Sequence, residues 1–268
     1  MRPLPQANDS GGIEGFWMFY GKMENGGREK LRDALRVLQD VCGPIYAADN
    51  LVGLQRSAGF REDEAFMTAL KANAQTNQDL SLGWRLHTLI WAAQNVLHLP
   101  GDFVECGVWK GFSFGVVADY LDFGTVDKTL FLYDTFEGIP EALNSEKRSN
   151  AVYEEENRVD PDHIFNTVRA RFATLSNVEI VRGIVPDSFA DKCPDQVALL
   201  HLDMNSAASE IAALEHLFDR VVPGGIILFD DYGWTGYKAQ RLAEDKFMAA
   251  RGHVILELPT GQGMVLKH

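Results

Sequence analysis

The 268-residue chain is poor in cysteine, poor in basic charge and without any long apolar run. Its three cysteines, Cys42, Cys106 and Cys193, lie far apart with no metal-ligand spacing. That excludes a disulfide scaffold or a zinc knuckle and points to a reducing, cytoplasmic setting. Lys and Arg number 25 against 38 Asp and Glu, a formal charge of −13. Nonspecific binding to nucleic acid or to an anionic membrane needs a basic surface, so neither is expected as a partner. No stretch approaches the length of a membrane span, and the first residues, MRPLPQANDSGG, lack the apolar core of a signal peptide. A soluble intracellular protein is the expectation. Internal repeats and low-complexity tracts are missing too. No Ser, His and Asp follow the order of a nucleophile elbow, which removes support for hydrolase chemistry.

What is present suits a buried core, since 46% of the residues are hydrophobic. The length fits one α/β domain, residues 81–268, preceded by a helical extension or lid over 1–80. The aromatic cluster GFWMFY at 15–20 reads as packing on the protein's own core or, alternatively, as a subunit contact or lid. Through it a homodimer is expected. Apolar spacing predicts helices over 28–42, 62–73 and 81–98, the last ended by Pro100-Gly101. From 101 onward strand and helix signals alternate, which implies a parallel sheet with crossover helices. Strands are read at 102–106, 129–133, 178–182, 197–202, 226–229, 253–258 and 263–267. The short PTGQG loop before the last one permits a hairpin and forbids a parallel crossover. The fold class is therefore a Rossmann-like three-layer α/β sandwich, with a mostly parallel sheet whose last strand is antiparallel.

The stretch GDFVECGVWKGFSFG, 101–115, has the outline of a strand, a tight turn and a helix. In open α/β sheets that is where a nucleotide-like ligand is held. Gly107 and Gly111 let the backbone bend and approach a ligand, and the amides opening the next helix point at it. Glu105 at the strand end would repel a pyrophosphate and suits an amine, a hydroxyl or a sulfonium cation. S-adenosylmethionine is the ligand this implies. The same glycines also serve an ordinary strand-turn-helix connection, since E-x-G-x-x-x-G is a common spacing. The second strand ends at Asp134, about 30 residues on, where an acid accepts both hydroxyls of a ribose; its other reading is a helix cap. Phe136 is placed to stack on an adenine or to fill the core. The cofactor set is thus Glu105, Cys106, Gly107, Gly111 and Ser113, with Asp134, Thr135 and Phe136.

The fourth strand ends at Asp203 and the fifth at Asp230-Asp231. In a parallel sheet these tips face one crevice, and three converging carboxylates call for a cation, which all-oxygen ligation makes Mg²⁺. Either some of the three cap helices, or the metal helps ionise an acceptor hydroxyl while a carboxylate takes its proton. Adjacent residues alternate in direction, so Asp230 and Asp231 reach one ion only where the strand has turned into loop. His201 and His87 read as hydrogen-bonded core residues.

Taken together, ECGVWKGFS, DTFEGIP, LHLDMN with EIAALEHLF, and VPGGIILFDDYG resemble the macrocin O-methyltransferase family over roughly 80–268. The resemblance implies a class I methyltransferase sheet, with Asp203, Asp230 and Asp231 as metal ligands and Asp203 doubling as base. It also implies cofactor contacts from Glu105, Gly107 and Ser113, a ribose acid at Asp134, and a sugar or glycosylated small molecule as hydroxyl acceptor. One departure stands out. Members often continue the fourth strand as Asp-Gly-Asp with a Tyr soon after, whereas this chain reads Asp203-Met204-Asn205-Ser206-Ala207. That change leaves the cofactor half intact and alters the acceptor pocket. The competing readings are a nicotinamide-dependent oxidoreductase, disfavoured by Glu105 and the glycine spacing, and a non-catalytic binding protein of the same fold.

Overall fold

The computed structural model describes residues 25–144 and 160–268, so the 15–20 aromatic cluster lies outside the described residues. The chain divides into two compact units, Met1–His87 and Thr88–His268. In the first, helix α1 (Gly27–Cys42) is followed by an antiparallel hairpin of β1 (Ile45–Ala48) and β2 (Leu51–Leu54). Helices α2 (Glu64–Asn73) and α3 (Asn77–Ser81) come next, and α4 (Gly83–Val96) begins in this unit. Sequence patterning does not predict the hairpin, because Asp49-Asn50 at its turn carries the only signal for it. Both residues take positive φ, 51° and 56°, as a two-residue hairpin turn requires. Asp49 is also buried against Arg85, which donates to it from Nε and Nη2 at 3.0 Å each. Tyr46, Phe60, Phe66 and Trp84 pack edge to face or tilted, and His87 stacks on Phe60 at 5.3 Å, the structural role expected of it.

The second unit holds a seven-stranded sheet: β3 (Asp102–Cys106), β4 (Leu130–Asp134), β5 (Val178–Arg182), β6 (Val197–Leu202), β7 (Val221–Phe229), β8 (Leu256–Glu257) and β9 (Gly263–Leu266). Their order is β5-β4-β3-β6-β7-β9-β8. The first five run parallel, and β9 pairs antiparallel with both β7 and β8. The chain's last strand is thus the antiparallel one, as the loop length predicts, but it lies inside the sheet while β8 forms the edge. Helices α5 (Phe112–Leu121), α6 (Pro161–Arg171), α7 (Ala207–Leu217) and α8 (Lys238–Ala249) alternate with the strands. Strand β6 is buried at every position, which is why VALLHL reads as a continuous apolar run instead of an alternation.

Two strand expectations need correction. Strand β7 starts at Val221, earlier than expected, because Pro223-Gly224-Gly225 forms a bulge within the ladder, with Gly224 at φ 84°. The 253–258 stretch contributes only Leu256–Glu257, a short exposed edge. Among the described residues no helix is long and apolar enough to cross a membrane.

The tip of β3 depends on one glycine. Gly107 has φ 91°, and a Cβ there would drive into the Asp203 carbonyl. Gly138, at φ 84°, has open space around the same position. Gly107→Ala is therefore expected to cost about 3 kcal/mol or more, and Gly138→Ala about 1 kcal/mol, in reversible denaturant unfolding. Equal costs for the two would show that backbone strain alone, not the approach of β6, sets the requirement.

Candidate active site

The sheet reverses its winding between β3 and β6, the place where open α/β sheets hold ligands beyond their carboxyl ends. The backbone ladder continues past the strands there. Gly107 donates to the Tyr133 carbonyl, Asp203 to that of Cys106, Gly183 to that of Asp134 and Asp230 to that of Leu202, each at 2.9 Å. A cleft opens above these tips. Gly107 and Trp109 line it from the turn after β3, Asp134 and Thr135 from the end of β4, Gly183 and Ile184 from the loop after β5, and Asp203, Met204 and Asn205 from the turn after β6. Ile139, Pro140 and Leu143 complete one wall.

Of the expected cofactor residues, the structure brings Gly107, Asp134 and Thr135 to this cleft. Asp134 does more than face it. Its Oδ2 accepts from the amides of Val108 at 2.7 Å and Trp109 at 2.8 Å, and its Oδ1 from Phe136 at 2.6 Å. The acid expected as a ribose clamp or a helix cap thus holds the glycine turn. Thr135 Oγ1 lies a further 3.5 Å from Oδ1, and a carboxylate has about four lone-pair sites, so about one ribose hydroxyl instead of two finds room, in place of that long contact. Gly111 caps α5 in the left-handed region at φ 69°, packed near the Phe172 ring, and Ser113 lies in that helix's first turn. Cys106 is fully buried, and burial pushes its thiol well above the ordinary range, the opposite of an activated thiolate. Phe136 is also buried, tilted against Phe165 with centroids 5.1 Å apart, so the core reading of this ring describes its position.

Glu105 lies beneath the cleft, not in its lining. Its Oε1 meets His201 Nδ1 at 3.1 Å across the β3–β6 pairing, and His201 Nε2 stands 3.6 Å from Asp230 Oδ1. Burial raises the Glu105 carboxyl. Burial alone would hold His201 neutral, but the neighbouring carboxylates of Asp230 and Glu105 outweigh it and raise the imidazole. His201 is the hydrogen-bonded core residue expected from its depth.

The three metal candidates part company. Asp203 lines the cleft. Asp230 is buried, accepts at Oδ1 from Gln262 Nε2 at 3.0 Å, and belongs to the His201 row. Asp231 lies near Glu210, whose carboxyl it helps to raise. Among the described residues no group of three or more His, Cys, Asp or Glu is placed to hold a metal ion. Asp230 thus has one carboxylate oxygen committed to Gln262, while Asp203 opens on the cleft.

Sequence reasoning missed Gln262, hidden in a loop read only for its length. It also missed Glu210, Gln240 and Glu244, all buried between α7 and α8. A polar residue at the helix-periodic apolar positions of those stretches was the available signal.

The family model described as Macrocin-O-methyltransferase (TylF) matches residues 82–255. Mycinamicin III 3''-O-methyltransferase of Micromonospora griseorubida is 27% identical over 161 residues, covering 55% of this chain and 62% of that protein. Demethyldecarbamoylnovobiocin O-methyltransferase of Streptomyces niveus is 29% identical over 180 residues, 60% of this chain and 63% of that one. The match thus spans only about three-fifths of each of these relatives. The O-methyltransferase NovP superposes with a TM-score of 0.59 at 23% identity, covering 73% of this chain and 83% of that chain, a likeness of fold. The matched stretch contains the whole of the sheet up to β7, the glycine turn and all three acids, and the chain belongs to the macrocin-O-methyltransferase (TylF) family.

Proposed function

We propose that the protein is an S-adenosylmethionine-dependent O-methyltransferase acting on a hydroxyl of a sugar or glycosylated small molecule. The observation that carries this reading is the cleft at the β3–β6 switch point, where the glycine turn, Asp134 and Asp203 share one lining. Family membership supports the reaction class. Two of the relatives' names, a mycinamicin 3''- and a rhamnosyl-tetracenomycin 4'-O-methyltransferase, support the acceptor class.

In the mechanism, Gly107 lets the turn after β3 lie against the Asp203 carbonyl, and Asp134 holds that turn while taking about one ribose hydroxyl. Asp203, on the opposite lip, takes the acceptor proton. S-adenosylmethionine bound there would supply an electrophilic methyl on a sulfonium, so that the O–C bond would form as the C–S bond breaks and the electron pair would leave on sulfur. A negative oxygen and a positive sulfonium are neutralised together. The apolar wall of Ile139, Pro140 and Leu143 favours that loss of charge by limiting water. Mg²⁺ stays outside this derivation, because among the described residues no group of three or more His, Cys, Asp or Glu is placed to hold it.

Asp203→Asn is expected to lower methyl transfer by about 10²-fold or more with little change in cofactor affinity. The assay takes a panel of sugars and glycosides as acceptors, each with added Mg²⁺ and with chelator. A loss in both arms fits a proton acceptor; full turnover by the variant in either arm would remove Asp203 from the mechanism. Asp134→Ala acts on the other half. Calorimetric affinity for S-adenosylmethionine should weaken about tenfold or more, since two backbone amides lose a charged partner. Unchanged affinity would mean that the turn stands without its clamp.

A further inference from the structure

We propose that Glu210 is a positioning residue that fixes the Asp203–Met204–Asn205 turn, held in turn by Gln240 and Glu244 of α8. The catalytic consequence rests on the O-methyltransferase reading above; the structural half does not.

Glu210, in the first turn of α7, is fully buried, as are Gln240 and Glu244, one helical turn apart on α8. Glu210 Oε1 accepts from the Met204 amide at 3.2 Å and from Gln240 Nε2 at 3.0 Å. Its other oxygen, Oε2, has no hydrogen-bond partner among the described residues, and the Glu244 carboxyl acts on it electrostatically. Burial and Glu244 accordingly raise Glu210 well above the usual carboxylate range. Apolar side chains would fill the α7–α8 interface at lower cost, because buried polar groups are expensive even when bonded. What this group contributes instead is a bond to one backbone amide. That amide belongs to Met204, next to Asp203, and both line the cleft.

The turn needs such a hold. Asn205 has φ 53°, a strained conformation for a side-chain-bearing residue, and the chain must reverse from β6 into α7 within Asp203–Ser206. Its flanks are tied elsewhere. The Asp203 amide donates to the Cys106 carbonyl at 2.9 Å, and the Ser206 hydroxyl donates to the Leu143 carbonyl. Between them the Met204 amide looks inward, and Glu210 receives it. A displacement of about 1 Å there moves the Asp203 carboxylate relative to the glycine turn, and misplacement of that size costs about 10²-fold in well-oriented reactions.

The test compares Glu210→Ala and Glu210→Gln in the full chain. The amide side chain of the second variant keeps an acceptor for Met204 and Gln240 and offers an N–H to Glu244. Hydrogen exchange of the Met204 amide is read by mass spectrometry beside kcat and KM. Glu210→Ala should speed that exchange by about tenfold or more and lower kcat by about tenfold, with KM for S-adenosylmethionine within about threefold. Glu210→Gln should restore both to within about threefold of the parent. Unchanged exchange in Glu210→Ala, or equal damage from both variants, overturns the proposal. Should Glu210→Ala not fold, Gln240→Leu carries the same readouts, with faster Met204 exchange expected and no change counting against. A parent chain that transfers no methyl group yet shows this exchange pattern sinks the functional reading and leaves the positioning of the turn standing.

Discussion

A carboxylate gripping two successive amides is the contact on which the rest of the cleft depends. Asp134 reaches from β4 to Val108 and Trp109 in the turn after β3. Charge-assisted bonds of this kind contribute about 1.5–3 kcal/mol each. Trp109 sits at φ 51°, which costs an L-residue about 1–2 kcal/mol. The clamp therefore outweighs the strain it imposes, and the turn can stay tight before any ligand arrives. Tightness has a second effect. It presses Gly107 against the Asp203 carbonyl, so the position of the acid on β6 is set by a glycine on β3.

Beneath the cleft the charges fall into two buried groups. One runs across the sheet from Glu105 through His201 to Asp230, then to Gln262 and Thr260 in the last hairpin. The other joins Glu210, Gln240 and Glu244 behind the β6–α7 turn. Neither is a cheap source of stability, since removing charge from water costs several kcal/mol per ion before any pairing. Their yield is geometric. The first ties the ends of β3, β6 and β7 together sideways, and it recruits Asp230 to do so. Asp231, one residue on, adds its charge to those around the second. An expectation of three equivalent acids around a cation treats residues alike by their place at strand tips; burial and partners distinguish them.

The parallel sheet was legible because its strands are short, apolar and separated by helix-length intervals. Those of β3, β5 and β6 match their observed bounds. The antiparallel β9 was legible for a different reason, a loop too short to cross over. The errors have physical causes. Pro223-Gly224-Gly225 looks like a turn, yet a glycine at positive φ turns it into a bulge within β7. Val254 looks like strand but is almost wholly exposed, beyond the reach of the ladder. At the cleft, Gly107, Asp134 and Asp203 were readable from their places at strand ends. Glu105 was misplaced because its side-chain direction follows from pairing with His201, 96 positions away. Phe136 turned inward for a related reason: its amide is bound by Asp134, which directs the backbone before the ring can choose.

The segment Met204-Asn205-Ser206, where this chain departs from the pattern it resembles, is also where the apolar wall of the cleft is joined. Ser206 caps α7, accepting from the Ser209 amide at 3.3 Å, while its hydroxyl donates to the Leu143 carbonyl. Leu143 belongs to the apolar wall that follows β4. One small side chain thus couples the start of a helix to the lip of the cleft. The glycine turn touches this segment only through backbone, at the Asp203 carbonyl and amide, and answers to Asp134 on its other side. The two turns are thus held by different side chains, Asp134 on one and Glu210 with Ser206 on the other.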